Sequence, residues 1–279
     1  MKIYISLDME GVAGTFDWKQ EKEDRSMVRK YMSAQLEWVL EGINESAANE
    51  QVEEILIADS HSGGDSIPYE FTGLDERIQL ISGGPRANYM MAGLDGTYDI
   101  AFLTGYHGGG GTLYGVMDHT YTSCFHKISF QGQAMSEALV NSAFAGYHAV
   151  PVGLVIGDEA LGKELQRPEQ LPWVRYVTTK TGLGRFSAKS RPMGAVRRET
   201  IQAVKAVLAA DIKRLPLYRF EAPIRLEIEF QTTVMADVAA LIPGVRRLDG
   251  RTVELVSDDY AVLFNAYSLI ARVAGTVNG

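Results

Sequence analysis

Along the chain, apolar runs stop abruptly at polar residues, and each stop carries ionisable groups. Ile3-Tyr4-Ile5-Ser6-Leu7 runs into Asp8-Met9-Glu10-Gly11, and Ile55-Leu56-Ile57-Ala58 runs into Asp59-Ser60-His61. Ile100-Ala101-Phe102-Leu103 leads to Thr104-Gly105-Tyr106-His107, and Val152-Gly153-Leu154-Val155-Ile156 to Gly157-Asp158-Glu159. Short β-branched runs of this kind, bounded by turn residues, predict buried strands. Helical periodicity lies between them, most clearly over about residues 26–49, where Val28, Met32, Leu36, Val39, Leu40 and Ile43 form one apolar stripe. Alternating strands and helices predict an α/β fold with a mostly parallel sheet and flanking helices, in which ligands bind beyond the carboxyl ends of the strands.

Residues 125–130 and the turn Gln131-Gly132-Gln133 read as a strand and tight turn before a helix over about 136–147. Ser136 fits the N-cap, which places Glu137 in the first turn, where the helix dipole favours an anion. Beyond about residue 157 the pattern changes. Prolines punctuate a helix near 195–212, and the strand at 224–230 alternates polar with apolar residues, as a sheet with one wet face does. A helix near 233–241, a strand at 252–256 and a closing helix over about 259–274 complete an α+β part. The expected division is an α/β unit over 1–160 carrying the polar strand ends and an α+β unit over 161–279.

The strand-end residues suit metal chemistry. Asp8 and Glu10 are one residue apart, so in extended backbone they point the same way, and two such carboxylates repel unless a cation lies between them. Taken singly, such carboxylates and loop histidines are ordinary surface groups. Together, Asp8, Glu10, His61, His107 and Glu137 supply the nitrogen and oxygen donors that zinc prefers. Five ligands exceed one tetrahedral site and point to two zinc ions per chain sharing a carboxylate. His119, in Gly115-Val116-Met117-Asp118-His119-Thr120, is the acid/base candidate left over, and the glycine run at 108–111 is expected to let backbone approach a substrate. Asp59 reads either as an orienting partner for His61 or as a turn residue.

Composition narrows the partners. A formal net charge of -8 over 279 residues leaves no basic field for nucleic acid or for an anionic membrane surface. No apolar run approaches the roughly 18 residues of a membrane span. Cys124 is the single cysteine and the chain opens without a long apolar stretch, so a cytoplasmic location is expected. The glycine run lacks the Gly-Lys-Ser/Thr ending of a phosphate-binding loop and the spacing of a dinucleotide fingerprint.

With these motifs in place, the chain resembles the D-aminopeptidase (DppA) family, peptidase family M55. The likeness rests on Ser6-Leu7-Asp8-Met9-Glu10-Gly11, Ala58-Asp59-Ser60-His61, Gly105-Tyr106-His107, Gly115-Val116-Met117-Asp118-His119-Thr120, Glu137 with Asn141, and Lys180-Thr181-Gly182-Leu183-Gly184-Arg185-Phe186. It implies two zinc ions on Asp8, Glu10, His61, His107 and Glu137, with Asp8 bridging, and a catalytic His119. It further implies short peptide substrates with a free amino end, often D-alanyl, and a homo-oligomeric ring of about ten subunits. Gly108, Asp118 and Ser136 depart from residues frequent in the family and bear on substrate preference. Two other readings stay open: another dinuclear hydrolase such as a phosphoesterase, for which no phosphate-binding arginine stands near the motifs, and a metal-dependent binding protein without turnover.

Overall fold

A computed structural model describes residues 1–277. Among them the strands are β1 (Lys2–Leu7), β2 (Glu54–Asp59), β3 (Ile78–Ile81), β4 (Ile100–Tyr106), β5 (Phe125–Phe130), β6 (Gln133–Ala134), β7 (Val152–Asp158), β8 (Arg175–Gly184), β9 (Ser187–Ser190), β10 (Ile224–Phe230), β11 (Arg246–Arg247) and β12 (Thr252–Ser257). The helices are α1 (Lys19–Glu23), α2 (Arg25–Asn44), α3 (Glu137–Tyr147), α4 (Glu159–Leu165), α5 (Met193–Leu208), α6 (Thr233–Ala239) and α7 (Tyr260–Ala274). One sheet has the order β3-β2-β1-β4-β7-β8-β9 and is parallel except for β9; the other, β11-β12-β10-β5-β6, is antiparallel. The predicted α/β architecture, mostly parallel with an α+β remainder, is the one observed.

The parallel sheet is buried on both faces, which explains its continuous apolar strands. Ile3, Ile5 and Leu7 of β1 face a core shared with α2 and α5, while Tyr4 faces a second core built with α3, α7 and the antiparallel sheet. The chain exchanges sheets more than once: β5 and β6 join the antiparallel sheet before residue 160, and β8 and β9 join the parallel one after it. Residue 160 itself lies within α4. The apolar stripe of α7 is spent on the chain's own core, with Leu263, Tyr267 and Ile270 buried.

Register sets the site. Leu7 pairs with Asp59 on one side and with Thr104 on the other, so β1 and β2 end level with Thr104 near the end of β4, and the residues beyond open onto one place. Two glycines let the loops after β1 and β4 close up. A Cβ on Gly11 would sit 1.7 Å from the Tyr106 carbonyl oxygen, and Gly105, at φ +74°, would bring one within 2.1 Å of the Asp8 carbonyl oxygen.

Candidate metal centre

The predicted residues Asp8, Glu10, His61, His107, His119 and Glu137 meet at the carboxyl ends of β1, β2 and β4. Glu137 enters from the first turn of α3, although the hydroxyl of Ser136 makes no capping hydrogen bond there. The five candidate ligands are buried, His107 completely. His61 Nδ1 lies 3.3 Å from Asp8 Oδ1 and 3.2 Å from Glu10 Oε2. His107 Nε2 lies 3.5 Å from both Asp8 Oδ2 and Glu137 Oε2. Asp8 therefore belongs to two triads, Asp8–Glu10–His61 and Asp8–His107–Glu137, with its two oxygens facing different histidines.

Hydrogen bonds on the far side of each ring fix which nitrogen faces the acids. Nδ1–H of His107 donates to the Gly108 carbonyl at 3.0 Å, and Nδ1–H of His119 to the Met117 carbonyl at 2.9 Å. Nε2–H of His61 donates to Glu21 Oε2 at 3.1 Å. Each imidazole thus turns a lone pair toward carboxylates, the arrangement that outer partners enforce on metal-ligating histidines. Asp8 Oδ2, Glu10 Oε2 and His107 Nε2 are buried without a hydrogen-bond partner. Acceptors facing acceptors in a buried site require either protons or a cation between them. Four ligands arranged tetrahedrally at about 2.0–2.1 Å from zinc lie roughly 3.3 Å from one another. The observed separations of 3.2, 3.3 and 3.5 Å match that spacing, so the residues present fit a divalent ion in each triad.

His119 sits against this cluster, and a third grouping of Glu10, His107 and His119 is also compact. The glutamate oxygens separate the roles. His119 Nε2 faces Glu137 Oε1 at 3.4 Å and Glu10 Oε1 at 4.0 Å. Those oxygens already accept from N–H donors: Tyr121 N–H reaches Glu137 Oε1 at 2.6 Å, and Trp18 Nε1–H reaches Glu10 Oε1 at 2.7 Å. The other oxygen of each glutamate faces His107 or His61.

The charges in the metal-free centre are strongly displaced. Burial, reinforced by the Glu10 carboxylate, pushes Asp8 up to about 8. Burial alone would lower His107, but the Glu137, Glu10 and Asp8 carboxylates together outweigh it and raise the ring to about 10. Glu10 is held well below the carboxylate range despite its burial, through His61. Burial and the neighbouring His107 lower His119, leaving it neutral at physiological pH.

Other residues brace the centre. Lys180 is buried, and its ammonium donates to the Val12 carbonyl at 2.9 Å, the Thr15 carbonyl at 2.6 Å, Thr15 Oγ1 at 2.9 Å and the Glu10 carbonyl, which pins the loop after β1. Burial lowers its pKa to about 7. Asp158 accepts from Val116 N–H at 2.9 Å, and Met117 N–H donates to the Arg185 carbonyl at 2.6 Å, holding the His119 loop. Asp59 takes the turn role, accepting from Ser66 and Ile67 N–H at 2.6 and 2.8 Å. The glycine run does not line the cavity over the centre; a Cβ on Gly109 or Gly110 would press on backbone at Ser136 or His126.

Trp18, Glu21 and Lys180 are absent from the sequence-based candidates. Glu21 lies in the charged stretch Lys19-Gln20-Glu21-Lys22-Glu23, which reads as a solvated helix face, and Trp18 carries no motif. Lys180 stands in a segment quoted only for its resemblance, and a lysine in a strand is no signal of burial.

A doubly wound sheet with buried acids and histidines at its strand ends defines a metallohydrolase-type centre. A family model described as D-aminopeptidase, Peptidase_M55, matches residues 1–269, and the chain belongs to that family. A D-aminopeptidase of Bacillus subtilis (strain 168) is 29% identical over 278 residues, spanning 98% of each chain. The solved structure of a Zn-dependent D-aminopeptidase, DppA from Bacillus subtilis, described as a self-compartmentalizing protease, superposes with a TM-score of 0.91 at 27% identity and 100% coverage of both chains.

Proposed function

We propose that this protein is a zinc aminopeptidase that hydrolyses short peptides from a free amino end, D-alanyl peptides among them, with two ions per chain. Asp8, Glu10 and His61 hold one ion, and Asp8, His107 and Glu137 the other. The observation that carries this reading is the sharing of Asp8 between two triads with N···O separations of 3.2 to 3.5 Å. The likeness to a D-aminopeptidase and to a Zn-dependent D-aminopeptidase of Bacillus subtilis supports the metal and the substrate class.

Zinc bound there supplies Lewis acidity toward a peptide carbonyl and makes water a stronger acid. His119 takes the proton chemistry. Its Nδ1–H is committed to the Met117 carbonyl, so Nε2 is the atom that accepts a proton and returns it to the departing amine. Trp18 and the Tyr121 backbone hold Glu10 and Glu137 so that one oxygen of each is left for the centre. Trp18 also packs edge-on against His119 at 5.4 Å, which limits the ring's motion.

Self-compartmentalization of the Bacillus structure supports a homo-oligomer, and exposed Leu113, Tyr114, Leu183 and Phe186 offer apolar surface for one. Among the described residues no helix is long and apolar enough to cross a membrane. A cytoplasmic site of action is part of the proposal, resting on the lone cysteine.

Zinc content of the purified protein, followed by a screen of D- and L-aminoacyl peptides, tests this reading. Two ions and release of amino-terminal residues are expected. One ion or none in active protein, or hydrolysis of phosphoesters alone, contradicts it.

A further inference from the structure

The cavity over the centre has a volume of about 540 Å³, and its charge is divided. Asp8, Glu10, Glu21 and Glu137 make one part acidic, whereas the cations on its lining are Lys22, from α1, and Arg272, from the last turn of α7. Arg272 is exposed and, among the described residues, makes no hydrogen bond or ion pair. Among the described residues, its planar fork of five N–H donors thus has no partner at the wall of this pocket.

Its place in that wall is fixed by packing. Tyr121 donates its backbone N–H to Glu137, and its ring runs outward to α7, where it packs on Tyr267 at 4.7 Å and its hydroxyl bonds Ser268. Ser268 and Arg272 are four residues apart, hence on one face of the helix. Tyr267 is buried, so α7 cannot swing away without opening the core. Arg272 is thus tied through one tyrosine to a carboxylate of the centre. Lys22 lies on a five-residue helix with no buried residue and is held far less firmly.

We infer that Arg272 binds the C-terminal carboxylate of the peptide substrate, so that the pocket takes short zwitterionic peptides, amino end toward the acids and carboxylate toward the guanidinium. The inference rests on the peptidase reading for its substrate and adds the group that limits peptide length. A guanidinium fork matches a carboxylate in two parallel hydrogen bonds, and a dipeptide spans only about 7 Å, so a cation on the wall of the same cavity can discriminate peptides by length. Arg272 stands just past residue 269, where the family match ends. A cation in the last helical turn also complements the helix dipole, and that role would affect stability without regard to substrate.

Binding of uncleavable ligands separates the inference from the reading beneath it. Reduced-bond alanyl-alanine analogues, D,D and L,L, each as free acid and as C-terminal amide, are titrated into zinc-supplemented protein by calorimetry. The unaltered protein is expected to bind one acid roughly 10–100-fold more tightly than its amide, the range of a hydrogen bond to a charged group. Arg272→Gln should abolish that preference and leave amide affinity and melting temperature unchanged, Arg272→Lys should restore part of it, and Lys22→Gln should retain it. Equal binding of acid and amide, equal weakening of both by Arg272→Gln, or no binding at all overturns the inference. Hydrolysis of alanyl-alanine, measured separately, reports on the peptidase reading: selective binding without hydrolysis would sink that reading and spare this one.

Discussion

The imidazoles of His107 and His119 are stacked, with centroids 4.5 Å apart and planes 13° from parallel, yet they differ in charge and in what they face. His107 turns to Asp8 Oδ2 and Glu137 Oε2, while His119 faces oxygens already taken by Trp18 and Tyr121. Burial lowers His119, and the stacked His107, when charged, adds to this by repelling a second proton. His119→Ala is therefore expected to lose ~10²–10⁴-fold in kcat while keeping its metal and its fold. Kinetics and elemental analysis on one sample check this; loss of an ion would make His119 a ligand.

Glu21 accepts the outer N–H of His61 and should tune only the ion on that side. Glu21→Gln is expected to weaken one zinc equivalent by ~10–100-fold and leave the other unchanged, as outer partners of metal-binding histidines do. Competition with a fluorescent zinc chelator resolves the two equivalents. An unaltered pair of affinities contradicts the assignment.

Zinc affinity should rise with pH between 6 and 8. Asp8 at about 8 and His107 at about 10 both lie above their ordinary values in the metal-free protein, so both hold protons at pH 7. A metal needs the deprotonated forms, so binding releases protons and is favoured as pH climbs through these values. Calorimetry at pH 7 in buffers of different ionisation enthalpy should show about one proton or more released per chain. No release contradicts the charge assignment.

Lys180→Met keeps the length of a side chain buried under the β1 loop but removes the charged donor shared by the Glu10, Val12 and Thr15 carbonyls, leaving the first two only the shared Thr15 donors and the Thr15 carbonyl none among the described residues. Unsatisfied buried acceptors cost ~1–3 kcal/mol each and do not add fully, so a loss of about 3 kcal/mol is expected in denaturant unfolding. A change under ~0.5 kcal/mol would mean that the loop is held by other contacts.

Much of this was legible in the chain. Strands that are buried on both faces are written as unbroken apolar runs, and the abrupt stops at Asp8, His61 and His107 marked the sheet edge where ligands gather. Helix ends were less legible: α2 stops at Asn44 rather than near 49, and α5 spans 193–208 rather than 195–212, because end residues are chosen by local caps that periodicity does not see. The sheet exchange of β5 and of β8 was not legible, since pairing between distant strands leaves no local signature. Glu21 and Lys180 escaped for a related reason. Their chemistry comes from what the fold brings to them, and a charged residue far along the chain from its partner looks like any surface charge.

The central claim is that Asp8 is shared between two metal ions. Anomalous diffraction at the zinc absorption edge, on crystals of zinc-supplemented protein, tests it most directly. Two peaks are expected per chain, each about 2.0–2.2 Å from a different Asp8 oxygen, one completed by Glu10 and His61 and the other by His107 and Glu137. A single peak, or a peak bonded to His119 Nε2 in place of Asp8, would contradict the account.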